Sequence, residues 1–507
     1  MKYPAFERFH KKSPINKGNF FRSVLPALVI TFCLSGCFAV GPDYVRIKPE
    51  APEAWHTTLQ GGLTSTLTTP ETLSQWWTIL GDPQLESLEK RAVQGNLELK
   101  NAWARIHEAR AQRGISRTRL FPAADAVGSI TDQRSSENNG LGHENKLYTA
   151  GFDAGWELDI FGGIRRGIEA AQAEVESSEE DLHDVLVSLL AEVALNYVDA
   201  RTYQARLAAT KGNIAVQEET YKLNFSLRQA GLIDALALEQ SLYNLEHSRS
   251  QIPGLQTGLE AAKNRLAVLL GKKPGAVHPE LAEEKSIPAI PVSVAVGIPA
   301  ETLRHRPDIR RAERDLAAAT AHIGMATADL YPKFRLNGTI GLESISSGNF
   351  WQWASRSHSF GPGVSWNIFD AGAIRRNIEV QNARQEQALI NYEASVLQAQ
   401  EEVENALVAY AKEQQRRKSL DKATAAAKRA DLLARDQYQA GLVDFNDVLD
   451  AQRSLLSFQD ELAQSSGGVT TNLIRLYKAL GGGWTAFDPT AAAGQKTGLK
   501  TGGEEKP

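Results

Sequence analysis

The chain has 507 residues and a formal net charge of −4. That is long enough for a large core or several domains, and too near balance for a protein that holds nucleic acid on a basic face. Its two cysteines, Cys33 and Cys37, both lie near the N-terminus, so the remainder can build neither a disulfide nor a cysteine-based metal site. None of the ten histidines has another three or four residues away. No phosphate-binding glycine loop, Gly-x-Ser-x-Gly elbow or cluster of nucleophile, base and orienter is visible, so neither an enzyme nor a metal or other resident cofactor is expected.

Residues 1–36 read as an export signal. Lys2, Arg8, Lys11, Lys12, Lys17 and Arg22 form a positive leader, and Val24 to Leu34 is an apolar run too short to span a bilayer. The run ends Leu34-Ser35-Gly36-Cys37, which resembles the bacterial lipobox, in which the cysteine is lipidated and becomes the new first residue. On that reading 1–36 is a lipoprotein signal peptide and Cys37 carries the lipid. An ordinary signal with an incidental cysteine is the alternative. Phe38 follows rather than Asp, so the rule for retention at the inner membrane is not met.

Residues 37–84 have the composition of an N-terminal tether, with several prolines, Gly61-Gly62 and a threonine-rich run. A helix is predicted over 85–119, where Leu85, Leu88, Ala92, Leu99, Ala102, Ile106 and Ala109 recur at helical spacing. Two strands follow. Over 148–158, Tyr148, Ala150, Phe152, Ala154, Trp156 and Leu158 alternate with Thr149, Gly151, Asp153, Gly155 and Glu157. The strand over 123–131 has a weaker alternation. A soluble sandwich gives the same pattern, yet each strand has the length that a tilted membrane strand needs. From Ile164 to Gln229 the helical period runs without a proline, a helix of 229 − 164 + 1 = 66 residues and about 100 Å. Gly231 then marks a tight reversal into a return helix over 235–270, with an interruption expected at Pro253-Gly254.

The same series then repeats. Trp156 recurs as Trp366, Gly163-Ile164-Arg165-Arg166 as Ala373-Ile374-Arg375-Arg376, and Gln229-Ala230-Gly231-Leu232 as Gln439-Ala440-Gly441-Leu442, each at an offset of 210 (366 − 156). The chain is therefore an internal tandem duplication. The first repeat covers 85–275, a Pro-rich linker 276–300, the second repeat 301–485, and a tail expected to be disordered 486–507. The second repeat's strands run over 333–343 and 359–368, and its hairpin turns at Gly441. Four strands per chain cannot close a barrel, which needs at least eight. Both that problem and the polar strand face are resolved if several chains share one barrel and continue its wall as helices.

Several features keep two readings. Arg165-Arg166 and Arg375-Arg376 suit either a charged collar or a solvated helix start. Trp351 and Trp353 suit an interfacial girdle or a filled loop. Asp308, Arg310 and Glu313 suit structural ion pairs at a helix start.

The lipobox, Gly41-Pro42-Asp43-Tyr44, Trp76-Trp77 with Asp82-Pro83, Arg306-Pro307-Asp308-Ile309-Arg310 with Glu313, Ala328-Asp329-Leu330-Tyr331-Pro332, and Gly441-Leu442 with Asp447-Val448-Leu449-Asp450-Ala451 together resemble the TolC-type outer-membrane efflux proteins, in their lipoprotein (NodT-like) branch. The resemblance covers nearly the whole mature chain. It implies an α+β membrane protein: a homotrimer with a twelve-stranded transmembrane β-barrel, four strands from each chain, continued by a long α-helical barrel across the periplasm. It also implies lipid-anchored residence in the outer membrane. The partners would be a periplasmic adaptor (membrane fusion) protein and an inner-membrane pump of the resistance-nodulation-division (RND) type, with no nucleic acid. An exit duct for protein secretion and a non-conducting coiled-coil tether are the other readings.

Asp447 and Asp450 follow the Gly441 turn and, three apart, share one helix face. The resemblance makes them the pore gate, a ring of six carboxylates under threefold symmetry. Helix-start aspartates favoured by the dipole are the alternative. The first repeat has Ala237 and Gln240 at these positions.

Overall fold

The computed structural model describes residues 39–47, 52–66, 73–138, 142–290, 293–297 and 299–487. In chain order the elements are β1 (Leu63–Thr64), α1 (Pro83–Gly95), α2 (Leu97–Thr118), β2 (Ala123–Arg134), β3 (Glu144–Leu158), α3 (Gly163–Gln229), α4 (Ala235–Leu269), β4 (Val294–Ala295), α5 (Pro299–His305), α6 (Pro307–Ala328), β5 (Lys333–Ser344), β6 (Arg356–Ser365), α7 (Ala373–Gln439) and α8 (Phe445–Ala479). The duplication is carried at residue resolution. The bounds of α2 and α6, β2 and β5, α3 and α7, and α4 and α8 all differ by 210 (for example 333 − 123).

The chain divides into two compact units that cut across the repeats. Among the described residues, the first comprises those from 39 to 44, from 113 to 171 and from 319 to 385, and the second those from 45 to 112, from 172 to 318 and from 386 to 487. Within the first, β2, β3, β5 and β6 form an antiparallel sheet in that order. The second holds the main hydrophobic core. There Leu85, Leu88, Leu190, Tyr197, Leu266, Val403, Tyr410, Val469, Leu473 and Tyr477 are buried together, and Trp76 stacks on Tyr477 at 5.7 Å.

The local chemistry of the helix ends is plain. Asp82 caps α1, accepting from Gln84 N at 2.9 Å and Leu85 N at 3.3 Å, with Pro83 at the first helical position. Gly231 and Gly441 stand at φ +74° and +73°. At the first turn Leu232 N donates to Leu227 O and Gly231 N to Arg228 O. At the second, Leu442 N donates to Gln437 O and Gly441 N to Tyr438 O. Each is a Schellman closure, which needs the left-handed backbone that glycine adopts without steric cost.

The structure departs from the sequence expectations at several points. The helix expected over 85–119 is two helices, broken at Asn96. The Asn96 side chain accepts from Leu99 N at 2.9 Å to cap α2 and donates to Leu269 O at 2.9 Å. Its counterpart at the offset of 210, Arg306, sits at the matching break between α5 and α6. It donates to Ala479 O at 2.6 Å, and Ala479 is the counterpart of Leu269. One carbonyl at the end of each return helix is thus satisfied by two different side chains. Pro253, expected to interrupt the return helix, lies inside a continuous α4. It withdraws one donor, and the ladder on either side continues.

The stretch read as a tether is in part packed. Val40 and Leu63 are buried, and Trp55 and Leu59 lie against the core. The Pro-rich linker places Val277, Leu281, Val294 and Val296 in the core, and β4 pairs in parallel with β1. The last strand stops at Ser365, so Trp366 and Ile368, read as its final residues, lie beyond it. Trp366 instead donates to Leu330 O at 3.0 Å, as Trp156 does to Leu120 O at 2.9 Å. Cys37 and the tail beyond Phe487 lie outside the described residues.

Candidate functional site: the sheet and the hairpin tips

The register sorts the sheet residues onto two faces. Ala126, Phe152, Ile340 and His358 lie in one cross-strand row. Ala154, Gly338 and Phe360 share another, Trp156, Leu336 and Pro362 a third, and Leu158, Phe334 and Val364 a fourth. All of these point to one side, because successive strand residues alternate between faces. The other face carries Asp125, Asp153, Thr339 and Ser359 in one row, and Glu157 beside Arg335 with 3.1 Å between their charges.

The apolar face is uncovered: Phe152 is 63% exposed, Ile340 58% and Phe360 73%. A soluble sandwich would bury this face against a second sheet. A contiguous exposed apolar face on a sheet whose other side is polar is instead the surface of a strand set that meets lipid. The apolar alternation in β3 runs from Tyr148 to Leu158, eleven residues (158 − 148 + 1). At about 3.3 Å per residue and a tilt near 45°, that spans ~25 Å, the height of a transmembrane barrel's apolar band.

Aromatic side chains gather at both ends of the band. At the helix end Phe161 stacks on Tyr331 at 4.6 Å, near the anchored Trp156 and Trp366. At the loop end Phe350 lies 6.5 Å from Tyr148, and Trp351 and Trp353 are 82% and 75% exposed. Two tryptophans this open do not fill a loop. They suit a girdle at the membrane surface.

The arginine pairs after the strands behave differently. Arg165 bonds Asp159 at 3.1 Å, and Asp159 also caps Ile164 N and Arg165 N at the start of α3. Arg166 is buried, donating to Val40 O, Gly41 O, Asp43 and Glu169 at 2.6–3.2 Å. It clamps the N-terminal segment, where Gly41 is also pressed against Gly324 too closely for any Cβ. In the second repeat Arg375 and Arg376 are exposed, and Arg376 pairs with Glu379. Asp370 accepts from Gly372 N and Ile374 N, and these backbone bonds hold its carboxyl below the usual range. Asp308 and Glu313 join ion pairs with Arg306 and with Arg46 and Arg314, and Arg310 pairs with Glu180.

At the hairpin tips, Phe445, Val448 and Leu449 are buried in a small cluster with Ala237, Ala434 and Tyr438 packed against it. Asp447 and Asp450 are exposed on the other side of α8. Asp234 caps α4 through Ala237 N at 2.9 Å, whereas Asp444 makes no side-chain cap. Gln240 reaches Asn446 at 3.1 Å.

Sequence reasoning missed the polar seam that stitches the second hairpin to the first. Arg453 donates to Tyr243 Oη at 2.7 Å, Tyr438 to Asn224 at 3.0 Å, Gln452 to Thr220 at 3.2 Å, and Arg206 pairs with Asp460 at 2.6 Å. Its only prior signal was polar residues interrupting the apolar spacing of the long helices. Arg166 was missed as a clamp because its partners lie over 120 residues away in the chain.

An uncovered apolar sheet in a chain with two 67-residue helices defines an outer-membrane channel subunit. The chain belongs to the Outer membrane efflux protein family, which it matches over residues 88–272 and again over 298–482, once per repeat. Over 471 residues it is 33% identical to Nodulation protein T of Rhizobium leguminosarum bv. trifolii, covering 91% of this chain and 97% of that protein. It is 30% identical to the Cation efflux system protein CusC of Escherichia coli O6:H1, covering 90% and 99%. Among solved structures, the outer-membrane channel OprN superposes with a TM-score of 0.82 at 35% identity, covering 88% of this chain and 99% of that one.

Proposed function

We propose that this protein is the outer-membrane exit duct of a tripartite RND-type efflux pump, passing drugs or other small toxic solutes from the periplasm to the exterior. The observation that carries this reading is the sheet: four strands, an exposed apolar face of lipid-crossing height, and edge strands β2 and β6 each with a single neighbour among the described residues. Unpaired strand edges are not tolerated in hydrocarbon, so the sheet must close. Three copies supply twelve strands. Ser129, Thr149, Gly151, Gly341 and Ser359 on the polar face project little into the lumen, which suits passage of varied cargo.

The partners on this reading are two further copies of the chain, a periplasmic adaptor and an inner-membrane RND pump. Cys37 would carry the lipid that anchors the chain in the outer membrane. Asp447 and Asp450 would form the periplasmic gate, supported by their exposure beside a buried apolar seam and by their place just after the Gly441 turn. A passive duct need not select its cargo, so the substrate follows from the pump. The test is conductance of the purified protein in a planar bilayer. Discrete channel steps are expected, and a protein that inserts without conducting would be an envelope tether instead.

A further inference from the structure

We propose that Arg356, seated on the Trp353 ring, is a binding site for the phosphorylated headgroup of an outer-leaflet lipid. The inference rests on the duct reading in one respect: with the helices in the periplasm, the loop end of the sheet faces the outer leaflet.

The four strands contain five lysines and arginines. Four have a carboxylate within ion-pair range: Arg134 with Glu137 at 3.3 Å, Lys146 with Asp132 at 3.6 Å, Lys333 with Asp329 at 2.8 Å, and Arg335 with Glu157 at 3.1 Å. Within its own chain Arg356 has none among the described residues. It lies directly opposite Leu342, and therefore on the apolar, lipid-facing side.

The duplication sharpens the point. At the offset of 210, Arg356 corresponds to Lys146, and Leu342 to Asp132. Lys146 and Asp132 face each other across β2 and β3 just as Arg356 and Leu342 do across β5 and β6. The cation is present in both repeats, while the acid that neutralises it in the first is a leucine in the second. At the rim of an apolar band a guanidinium is tolerated, and one with no acid beside it is open to an anion that the surroundings supply.

The seat is prepared. The guanidinium carbon lies 3.0 Å from the centre of the Trp353 ring, and Nε donates to Trp353 O at 2.8 Å. The loop beneath is braced by Ser355 Oγ on Asn349 O at 2.7 Å and by Phe350 against Tyr148. The guanidinium carbon sits over the indole, and its two terminal nitrogens have no hydrogen-bond partner among the described residues. Those are the donors that meet a phosphate in a paired geometry. Trp351 and Trp353 place the site at headgroup depth.

The experiment is native mass spectrometry of the detergent-extracted protein titrated with three probes: lipid A bearing its phosphates, dephosphorylated lipid A, and inorganic phosphate. The parent should bind phosphorylated lipid A about tenfold more tightly than Arg356→Gln, the factor of one lost charged contact, with Arg356→Lys between them. Leu342→Asp, which restores the acid of the first repeat and leaves Arg356 in place, should weaken binding to a similar extent. Dephosphorylated lipid A should bind parent and variants alike, and inorganic phosphate should not displace the lipid.

Equal binding of phosphorylated lipid A by the parent and both Arg356→Gln and Leu342→Asp overturns the proposal. Displacement by inorganic phosphate would make this a free-anion site and overturn the lipid assignment. Bilayer conductance of the same samples keeps the two readings apart. A silent parent rejects the duct, whereas conducting variants with unchanged lipid binding reject only the headgroup site.

Discussion

Glu89 is fully buried in α1, and neither carboxylate oxygen has a hydrogen-bond partner among the described residues. Burial pushes its pKa well above the usual carboxylate value of 4.5, so the group is held neutral over a range in which the unfolded chain would ionise it. The sign follows from proton counting. Between the unfolded and the folded pKa the native state binds more protons, so stability falls as pH rises through that window. It is fully present below the unfolded value and constant again above the folded one. Glu89→Gln keeps the shape and removes the titration, so its stability should lose this pH dependence. Glu89→Met removes the buried polar group altogether and should stabilise the fold by about 1–3 kcal/mol, the cost of leaving such a group unsatisfied. Thermal unfolding followed by far-UV circular dichroism, on the mildly acidic and mildly alkaline sides of neutrality, reads both effects. A Glu89→Met midpoint below that of the parent, or a pH dependence that survives in Glu89→Gln, would refute the reasoning.

Other outcomes are expected. Native mass spectrometry of the detergent-extracted protein should show a trimer, and a dominant stable monomer would sink shared closure of the barrel. Cys37→Ala should abolish labelling with radioactive fatty acid while the barrel still inserts, and labelling that persists would reject Cys37 as the anchor. If Asp447 and Asp450 form the proposed ring, the duct should be cation-selective and blocked from the periplasmic side by trivalent cations. Asp447→Asn with Asp450→Asn should weaken both effects with the trimer intact, and a double variant blocked as tightly as the parent would exclude these residues as the gate. Gly95→Ala should destabilise by about 1–3 kcal/mol despite alanine's higher helix propensity, because the new Cβ would lie 2.2 Å from Leu270 O, a backbone atom that cannot swing aside. A melting midpoint at or above the parent's would show that the crossing of α1 with the end of α4 relaxes freely.

Much of this protein was legible in one dimension because its defining signals are local or periodic. Alternation from Tyr148 to Leu158 needs only the strand's period of two. The proline-free runs before Gly231 and Gly441 need only the helix period and the left-handed backbone of the turn, and the duplication needs only a constant offset. Those signals sufficed for the strands and the hairpins, while the family resemblance rested on short motifs such as Arg306-Pro307-Asp308-Ile309-Arg310 and Asp447-Val448-Leu449-Asp450.

The tertiary structure decided what depends on partners distant in the chain. Asn96 breaks a run of good helical spacing because Leu269 O, 173 residues on, offers its side chain a better bond than an unbroken helix would. Pro253 stays inside α4 because one lost donor costs less than disrupting a long packed helix. Arg166 looks like its copy Arg376, yet only the first lies against the N-terminal segment and is buried there. Arg356 acquires its meaning only when the register sets it opposite Leu342 where Lys146 has Asp132. Periodicity tells which face a side chain takes, while the identity of its neighbour across the sheet or between helices is set when the chain packs.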